Sequence, residues 1–559
     1  MNKKPLFIVS GLMLVAATAL SGCTSSTPAT RKWSEKDETI TFRQIRSARG
    51  YNDLKSDGRT LIIPVQFADY QYTELYGEKR EEDGARKDIY NVNFGADSET
   101  QWESLSSFYG KSSYGQAHLT GAVGPWFTPY EDNALAEGYG QPYTVKSFAE
   151  NHAGYRGATF VLEQALRSLK KTGYKNVLVK DENGNFVKKS YASGKDCVKD
   201  FDGDHDGLID NIQLVYTCPP HVKDEKGQAI DDELFWAFRS LTGWPAKVDE
   251  PNAYNYLWLS YETFFENGTV VNGKYRDYTE AEKIAGVGPN GERVLDAHTL
   301  IHETGHALGA EDYYTNTSKD YAAAAQFIMM AHNVGDHDCW TKLLYGWVDP
   351  TVVYGNTTIT LDTFQKNGDC VLIPTKGNWS YNGGKHTVGD EYIMLEYFTD
   401  EGLYHHDLET PYLNSKTFYG ANVTTTGLRI WHIDARLASF SRVNKDDNFY
   451  TFIDYADDLV KMDDGYTYFG AFNDRADAVE AKTPNRDFKL ISCVNITTSN
   501  STSAFAMNGS GKTLSDDNIL SEVGSSLNSK DWEMNSGKKF GYNITILEKT
   551  DSTITIKIG

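Results

Sequence analysis

The chain has 559 residues and a formal net charge of −22 at neutral pH, and 40% of its residues are hydrophobic. A chain of this length is too long for one compact core, so we expect two or three domains. The apolar content is sufficient to fill the cores of these domains, which excludes a largely disordered protein. The strong negative charge argues against a nucleic-acid partner, because contacts with phosphates require clustered Lys and Arg.

The N-terminus has the layout of an export signal. Two lysines precede an apolar run over residues 7–20, which is too short to span a bilayer. The run ends in Leu20-Ser-Gly-Cys23, which resembles a bacterial lipobox and implies cleavage before Cys23 and acylation of its thiol. We therefore expect residues 1–23 to be a lipoprotein signal peptide, residues 24–45 a flexible tether, and the protein to be lipid-anchored to the bacterial cell surface or outer membrane. The alternative is an ordinary cleaved signal peptide with an incidental Cys.

Residues 46–350 are predicted to mix helices and strands. The run over residues 60–67 is typical of a buried strand, in which Pro64 must lie where no backbone donor is needed. Residues 158–171 place their apolar side chains on one helical face. Apolar residues then alternate along residues 212–216, as in a half-buried strand.

An acidic turn precedes that last strand and predicts a calcium site. Asp202, Asp204, Asp206 and Asp210 occupy positions 1, 3, 5 and 9 of a loop that matches the start of a calcium-binding EF-hand. Position 12 is Gln213 rather than Glu, and a strand follows in place of the second helix, so the EF-hand is incomplete. The alternative is a solvated acidic turn stabilised by bonds from Asp side chains to the backbone.

The stretch HTLIHETGHALGAEDYY over residues 298–314 predicts a metal-binding helix. In a helix, residues four positions apart lie one turn above each other, so the imidazoles of His302 and His306 can bind one ion. The carboxylate of Glu303 points towards the position of that ion. Gly309 is suited to end the helix, and Asp312 follows the turn as the expected third ligand. The alternative is a core helix that buries two imidazoles and a carboxylate with hydrogen-bond partners.

Neighbouring residues receive weaker predictions. His298 lies one turn before His302 but outside the motif, so we expect it at the surface or in a supporting position behind the ligands. Tyr313, Tyr314 or His332 could help to stabilise an oxyanion, and the spacing does not choose among them.

The segment from His302 to Asp312 is similar to the extended zincin motif in which Asp replaces the third His of metzincins. It most resembles the immune inhibitor A-like secreted bacterial zinc metallopeptidases. The segments over residues 104–129, 201–217 and 327–350 fit that family in the same order, as does the later stretch at 427–434. The resemblance covers about residues 46–434. It implies an α+β zincin-like catalytic domain over residues 46–350, with Zn²⁺ held by the two His and Asp312.

Zinc chemistry follows from these ligands. Two neutral imidazoles and a carboxylate leave one position on Zn²⁺ for water, whose pKa falls towards neutrality. Glu303 can accept the proton of that water and pass it to the leaving amine. We therefore predict a surface-anchored zinc endopeptidase that hydrolyses extracellular proteins or peptides, with Glu303 as general base.

The sequence departs from the family at the third ligand. The family usually has Pro before the Asp, whereas Glu311 stands here, so Glu311 and the more distant Asp320 remain alternatives to Asp312. Met330, rather than Met329, occupies the position of the family's turn methionine, which would form an apolar floor beneath the metal.

After residue 350 the composition changes to Thr, Val, Tyr, Asn and Gly, which predicts a β-rich, sandwich-like region over residues 351–559. Two alternating runs at the C-terminus predict a hairpin. We expect His432 and Asp434 to serve structure.

Two rival functions remain. One is a cell-surface adhesion or carbohydrate-binding lipoprotein with a non-catalytic zinc helix. Against it, a structural zinc has its fourth coordination position occupied by the protein and would not need the carboxylate of Glu303 beside it. The other is a zinc amidase that acts on cell-wall peptide.

Overall fold

The structure is a computed structural model. It describes residues 30–32, 58–75, 83–131, 140–203, 205, 208–242, 252–253, 255–310, 312–314, 328–374, 391–410, 412, 426–435, 440–443, 450–453, 490–495, 506–507, 513–514, 521–522, 534 and 539–559.

Helices and strands alternate in the described residues before 350, and strands predominate after it. The first strands are β1 (Thr30–Lys32), β2 (Gly58–Val65), β3 (Leu119–Val123), β4 (Tyr174–Lys180), β5 (Phe186–Tyr191), β6 (Asn211–Tyr216), β7 (Phe238–Leu241), β8 (Asn255–Ser260), β9 (Thr269–Val271) and β10 (Lys274–Arg276). The helices are α1 (Tyr72–Leu75), α2 (Gly84–Phe94), α3 (Leu105–Ser112), α4 (Val145–Asn151), α5 (Tyr155–Thr172), α6 (Gly194–Lys199), α7 (Glu280–Ala285), α8 (His298–Leu308), α9 (Met329–His332), α10 (Cys339–Tyr345), α11 (Phe364–Asn367) and α12 (Gly402–Glu409). The later strands are β11 (Thr351–Val353), β12 (Thr357–Asp362), β13 (Cys370–Pro374), β14 (Glu391–Phe398), β15 (Gly427–Asp434), β16 (Phe440–Val443), β17 (Tyr450–Ile453), β18 (Ile491–Asn495), β19 (Ala506–Met507), β20 (Thr513–Leu514), β21 (Ser521–Glu522), β22 (Ile544–Lys549) and β23 (Thr553–Ile558).

A seven-stranded sheet organises the part of the chain before residue 350. Its order is β5-β4-β3-β2-β6-β8-β7, with parallel pairing from β3 through β8 and antiparallel strands at both sides. Alternate residues of β2 enter two different cores: Ile62 packs with α2, α3 and α8, whereas Leu61 and Ile63 pack with α4 and α5. Because both faces are covered, the middle of each central strand is mainly apolar, with Gln213 of β6 as a buried polar exception.

The prediction for Pro64 is confirmed. In β2, Pro64 lies opposite Val215 of β6. On the other side β3 has already ended at Val123, and the Phe127 amide donates to the Pro64 carbonyl oxygen at 2.8 Å. The Gly124 carbonyl oxygen, which a donor at position 64 would reach, accepts from Arg86 Nε at 2.9 Å instead, so it stays bonded without the amide proton of Pro64.

In the described residues after 350, two larger sheets accompany the two-stranded sheet β16–β17. One has the order β1-β11-β13-β14-β15-β18-β21 with β19 beside β15, and the other has the order β12-β23-β22-β20. A hydrophobic core lies between them, with Val371 and Ile393 from the first sheet and Ile546 and Ile556 from the second. The predicted C-terminal hairpin is β22–β23 and is confirmed.

The opposite face of the larger of these sheets packs on helices from before residue 350. Trp340 of α10 donates to the Tyr392 hydroxyl at 3.0 Å, and the Cys339 amide donates to Glu396 Oε2 at 3.0 Å. Arg429 donates to the other oxygen of Glu396 at 3.1 Å, and both residues are fully buried. One core is therefore continuous across residue 350. The predicted mixture of helices and sheets is confirmed.

The signal peptide and Cys23 lie outside the described residues. Within the predicted tether, Thr30–Lys32 forms β1 and pairs antiparallel with β11. Among the helices that the structure describes, none combines the length and the apolar character needed to cross a membrane.

Candidate metal centre

The candidate metal centre is built on α8, which begins and ends for identifiable reasons. At its start the His298 amide donates to Asp296 Oδ1 at 3.1 Å. Its end is set by Gly309, whose φ of 112° is in the left-handed region that favours Gly. The Ala310 amide then donates back to the Gly305 carbonyl oxygen at 3.1 Å, which turns the chain towards the helix.

Three side chains meet at one point beside this helix. His302 Nε2 lies 3.1 Å from His306 Nε2 and 3.1 Å from Asp312 Oδ1, and His306 Nε2 lies 3.2 Å from the same oxygen. These three residues form a group that could hold a metal ion. Ligands at about 2.0–2.1 Å in tetrahedral geometry are separated by about 3.3 Å, so the triangle fits a tetrahedral ion capping it.

The other ring nitrogens fix the direction of both imidazoles. His302 Nδ1 lies 2.9 Å from the Met329 carbonyl oxygen, and His306 Nδ1 lies 2.9 Å from the Ala310 carbonyl oxygen. Because a carbonyl oxygen can only accept, each Nδ1 carries the proton. When both rings are neutral, their Nε2 lone pairs therefore point at the centre of this group. Two lone pairs facing each other repel, and a bound cation would stabilise them.

Charge at the centre favours a cation as well. Burial by itself would lower the pKa of His306, yet the Asp312 carboxylate raises it to about 10. Burial likewise opposes ionisation of Asp312, but the two imidazoles hold its pKa far below the usual range. Protons and metal ions therefore compete for this place.

Glu303 lies beside this group and is not one of its three members. It is 8% exposed, and burial raises the pKa of its carboxyl group. The two imidazoles and a hydrogen bond from the Arg239 backbone oppose this shift. A buried carboxylate with a raised pKa is suited to accept a proton.

Three polar contacts from distant parts of the chain hold α8. The Tyr109 hydroxyl donates to the Ile301 carbonyl oxygen at 2.8 Å, and the Tyr345 hydroxyl donates to that of Gly305 at 2.9 Å. Asn255 of β8 donates to the Ala307 carbonyl oxygen at 3.1 Å. Sequence reasoning missed these residues, since no local pattern marks a side chain that supports a helix distant in sequence.

Met330 packs against α8, and its role as an apolar floor beneath a metal stays a prediction. Its side chain is fully buried and lies against Gly305 of α8, so that a Cβ atom at Gly305 would collide with its sulfur. The Tyr313 amide donates to the Met330 carbonyl oxygen at 2.9 Å, which ties the segment carrying Asp312 to α9.

The structure separates the candidates for oxyanion stabilisation. Tyr313 is fully buried and its hydroxyl lies 2.8 Å from Thr341 Oγ1, so it faces the core. The Tyr314 ring is near-parallel to that of His302, with 6.3 Å between centroids. Tyr314 is therefore the better placed of these two.

A surface position for His298 is wrong, because the ring is fully buried between the carboxylates of Asp296 and Asp407. His432 is also buried and lies 2.8 Å from Glu391 in the larger C-terminal sheet. Asp434 is buried at the end of the same strand.

The alternative ligands and half of the acidic turn lie outside the described residues, namely Glu311, Asp320, Asp204 and Asp206. Both carboxylate oxygens of Asp210 accept backbone hydrogen bonds, from Arg59 at 3.1 Å and Gly203 at 3.0 Å. Asp202 is buried beside them. These bonds are those of a turn stabilised by its own Asp, and calcium stays a prediction.

No protein-family model matches this chain, and no curated protein matches it either. The resemblance to the immune inhibitor A-like peptidases therefore depends on the residues themselves. Function has to be argued from the geometry of the centre.

Proposed function

We propose that this chain is a zincin-like, zinc-dependent endopeptidase that is exported and lipid-anchored through Cys23. The observation that carries the proposal is the triangle of His302 Nε2, His306 Nε2 and Asp312 Oδ1 beside a buried carboxylate, Glu303, that lies outside the triangle. A structural metal site would use four protein ligands and would not require this additional acid.

Two imidazoles and one carboxylate are a donor set that suits zinc. Zinc, when bound, supplies a Lewis acid that polarises a scissile carbonyl and makes water more acidic. The carbonyl oxygens of Met329 and Ala310 keep His302 and His306 in the tautomer that leaves Nε2 unprotonated.

Glu303 performs the proton transfers in this proposal. Its carboxylate accepts a proton as water attacks the peptide carbonyl, and it then donates that proton to the leaving amine. Burial raises the pKa of Glu303 and so makes it a stronger base. The Tyr314 hydroxyl is the group we assign to support the carbonyl oxygen.

The edge of the seven-stranded sheet beside these residues supports a peptide as the substrate. In the described part of the chain β7 is the last strand of the seven-stranded sheet and has a strand partner on one side only. Its residue Arg239 contacts Glu303 through the backbone. Peptides commonly add to such an edge as a further strand, which favours an endopeptidase.

The proposal is tested with purified protein that lacks residues 1–23. Loaded with zinc, it should cleave casein, and a chelator should abolish cleavage. Glu303→Gln should be inactive while it keeps its zinc. Cleavage that survives either treatment would refute the mechanism, and cleavage of peptidoglycan fragments alone would identify an amidase instead.

A further inference from the structure

Two exposed aromatic side chains lie near β7. Tyr155 is 45% exposed and Trp236 is 36% exposed. Both rings contact the buried ring of Phe238, at centroid distances of 4.7 Å and 6.1 Å. We call Tyr155, Trp236 and Phe238 the aromatic ledge.

The aromatic ledge is held in place by its surroundings. The Trp236 indole N–H donates to the Glu233 carbonyl oxygen at 3.2 Å. Before Tyr155, Gly154 turns the chain into α5 with a φ of 62°, and its amide donates to Asp231 Oδ2 at 2.9 Å. Rings that are fixed before binding lose little conformational entropy when a ligand arrives.

The aromatic ledge adjoins the metal centre through β7. Phe238 directly precedes Arg239, whose backbone bonds to the Glu303 carboxylate. The Arg239 side chain donates to Asn255 at 2.8 Å, and Asn255 donates to Ala307 at the end of α8.

A peptide that pairs with β7 would project successive side chains to opposite faces of the sheet. Phe238 belongs to the core on the face of α4 and α5, whereas α8 packs on the other face. Side chains on one face of such a peptide would therefore approach the aromatic ledge, while the peptide backbone passes Glu303.

We infer that the aromatic ledge binds a large apolar side chain, above all an aromatic one, close to the scissile bond of the peptide substrate. This inference rests on the proposed peptidase function and adds a substrate class to it. Exposed ring edges and faces favour aromatic partners in offset or edge-to-face contact.

The charges beside the aromatic ledge disfavour an acidic partner. Glu233 and Arg156 are both exposed beside Tyr155. Asp231 and Asp232 directly precede Glu233. Carboxylates therefore outnumber the one guanidinium. The rings themselves offer apolar contact, and a peptide that carries Lys at the same position tests whether a basic residue is preferred instead.

The experiment uses zinc-loaded protein without residues 1–23. The wild type is incubated with casein, and the products are sequenced by mass spectrometry. We expect cleavage sites to lie within one or two residues of Phe, Tyr, Trp or Leu. If nothing is cleaved, the proposed function fails, whereas cleavage without this enrichment, or beside Lys and Arg, overturns only the present inference.

Binding provides a readout that does not depend on turnover. Glu303→Gln protein is titrated calorimetrically with a peptide spanning a cleavage site and with its copies carrying Ala or Lys at the apolar position. The apolar peptide should bind at least about tenfold more tightly than either copy. Adding Trp236→Ala or Tyr155→Ala should remove this difference, with zinc content showing that the site is intact.

Tyr275 of β10 is the matched control, because it is also 45% exposed and lies in a separate hairpin. Tyr275→Ala should keep the full preference for the apolar peptide. If the ledge variants behave like Tyr275→Ala, the assignment of the aromatic ledge is wrong.

Discussion

The imidazole of His298 lies nearly parallel to the indole of Trp102, with 4.1 Å between the ring centroids. Tyr412 stacks on the opposite face at 4.3 Å, and the carboxylates of Asp296 and Asp407 lie 2.7 Å and 3.3 Å from the two ring nitrogens. Burial alone would lower the pKa of His298, but the two carboxylates raise it to about 9. The ring is therefore an imidazolium between two aromatic faces, and it anchors the first turn of α8.

We expect this imidazolium to make stability depend on pH. The pKa of His298 is higher in the folded than in the unfolded protein, so its contribution is complete below about pH 6.5 and is lost as the pH rises through about 9. The loss should amount to roughly 1–3 kcal/mol of unfolding free energy. Denaturant titrations across this range should show a smaller decline in His298→Gln than in the wild type.

The comparison needs a control because Glu266 acts in the same direction. Burial raises the pKa of Glu266 from 4.5 to about 8, so its contribution to stability is lost as the pH rises from about 4.5 through about 8, which overlaps the range of His298. Because Asp296, the partner of His298, also raises the pKa of Glu266, the comparison is repeated in a Glu266→Gln background, where only the His298 contribution remains. His221→Gln, at an exposed His beside Asp232, should decline as the wild type does. An unchanged slope in His298→Gln would contradict the imidazolium assignment.

Glu303→Gln should separate metal binding from catalysis. Because Glu303 lies outside the triangle of ligands, the variant should retain about one zinc per chain by mass spectrometry. Without the proton acceptor, kcat should fall by about 10²–10⁴-fold. Loss of zinc from this variant would instead make Glu303 a ligand.

Variants of the acidic residues after α8 identify the third ligand. Asp312→Asn should weaken zinc affinity by at least about tenfold, since an amide is a poorer ligand than a carboxylate. Glu311→Gln and Asp320→Asn should bind zinc as the wild type does. Competition with a chromogenic chelator measures all three, and a loss at Asp320 rather than Asp312 would reassign the site.

Gly305→Ala tests the contact between α8 and Met330. The new Cβ atom would displace the Met330 sulfur, which should cost about 1–3 kcal/mol of stability and weaken zinc binding. Gly110 of α3 is the matched helical control, because the nearest neighbour of a Cβ atom there is the Ala117 carbonyl oxygen at 3.9 Å. Gly110→Ala should be neutral or stabilising by up to about 1 kcal/mol. Equal effects at both positions would count against the Met330 floor.

Lipidation of Cys23 is tested in a bacterial host. The wild-type chain should incorporate labelled palmitate and remain with membranes after a high-salt wash. Cys23→Ala should do neither. Labelling of the variant would show that the fatty acid is attached elsewhere.

Local sequence patterns are sufficient to predict the helix that carries His302 and His306. The four-residue spacing of His302 and His306, together with Gly309 as a helix end, predicts the convergence with Asp312 that the structure shows. The apolar face of residues 158–171 likewise predicts α5, which begins three residues earlier because Gly154 provides the turn. In each case the determinants lie within one or two turns of each other.

Contacts between distant segments could not be predicted in this way. Asp407 lies 109 residues after His298, and Tyr109 lies 192 residues before Ile301. No periodicity links such pairs, since they depend on how sheets and helices pack. The buried state of His298 and the aromatic ledge were missed for this reason.

The continuous core across residue 350 has a consequence for how this protein can change. Recombination could not exchange the β-rich half for another domain, because its larger sheet forms one side of the core that contains Trp340, which donates a hydrogen bond to Tyr392 of that sheet. Heating should melt both halves in one cooperative transition. Natural variation between relatives should accordingly accumulate in connecting segments, while the two halves are inherited together.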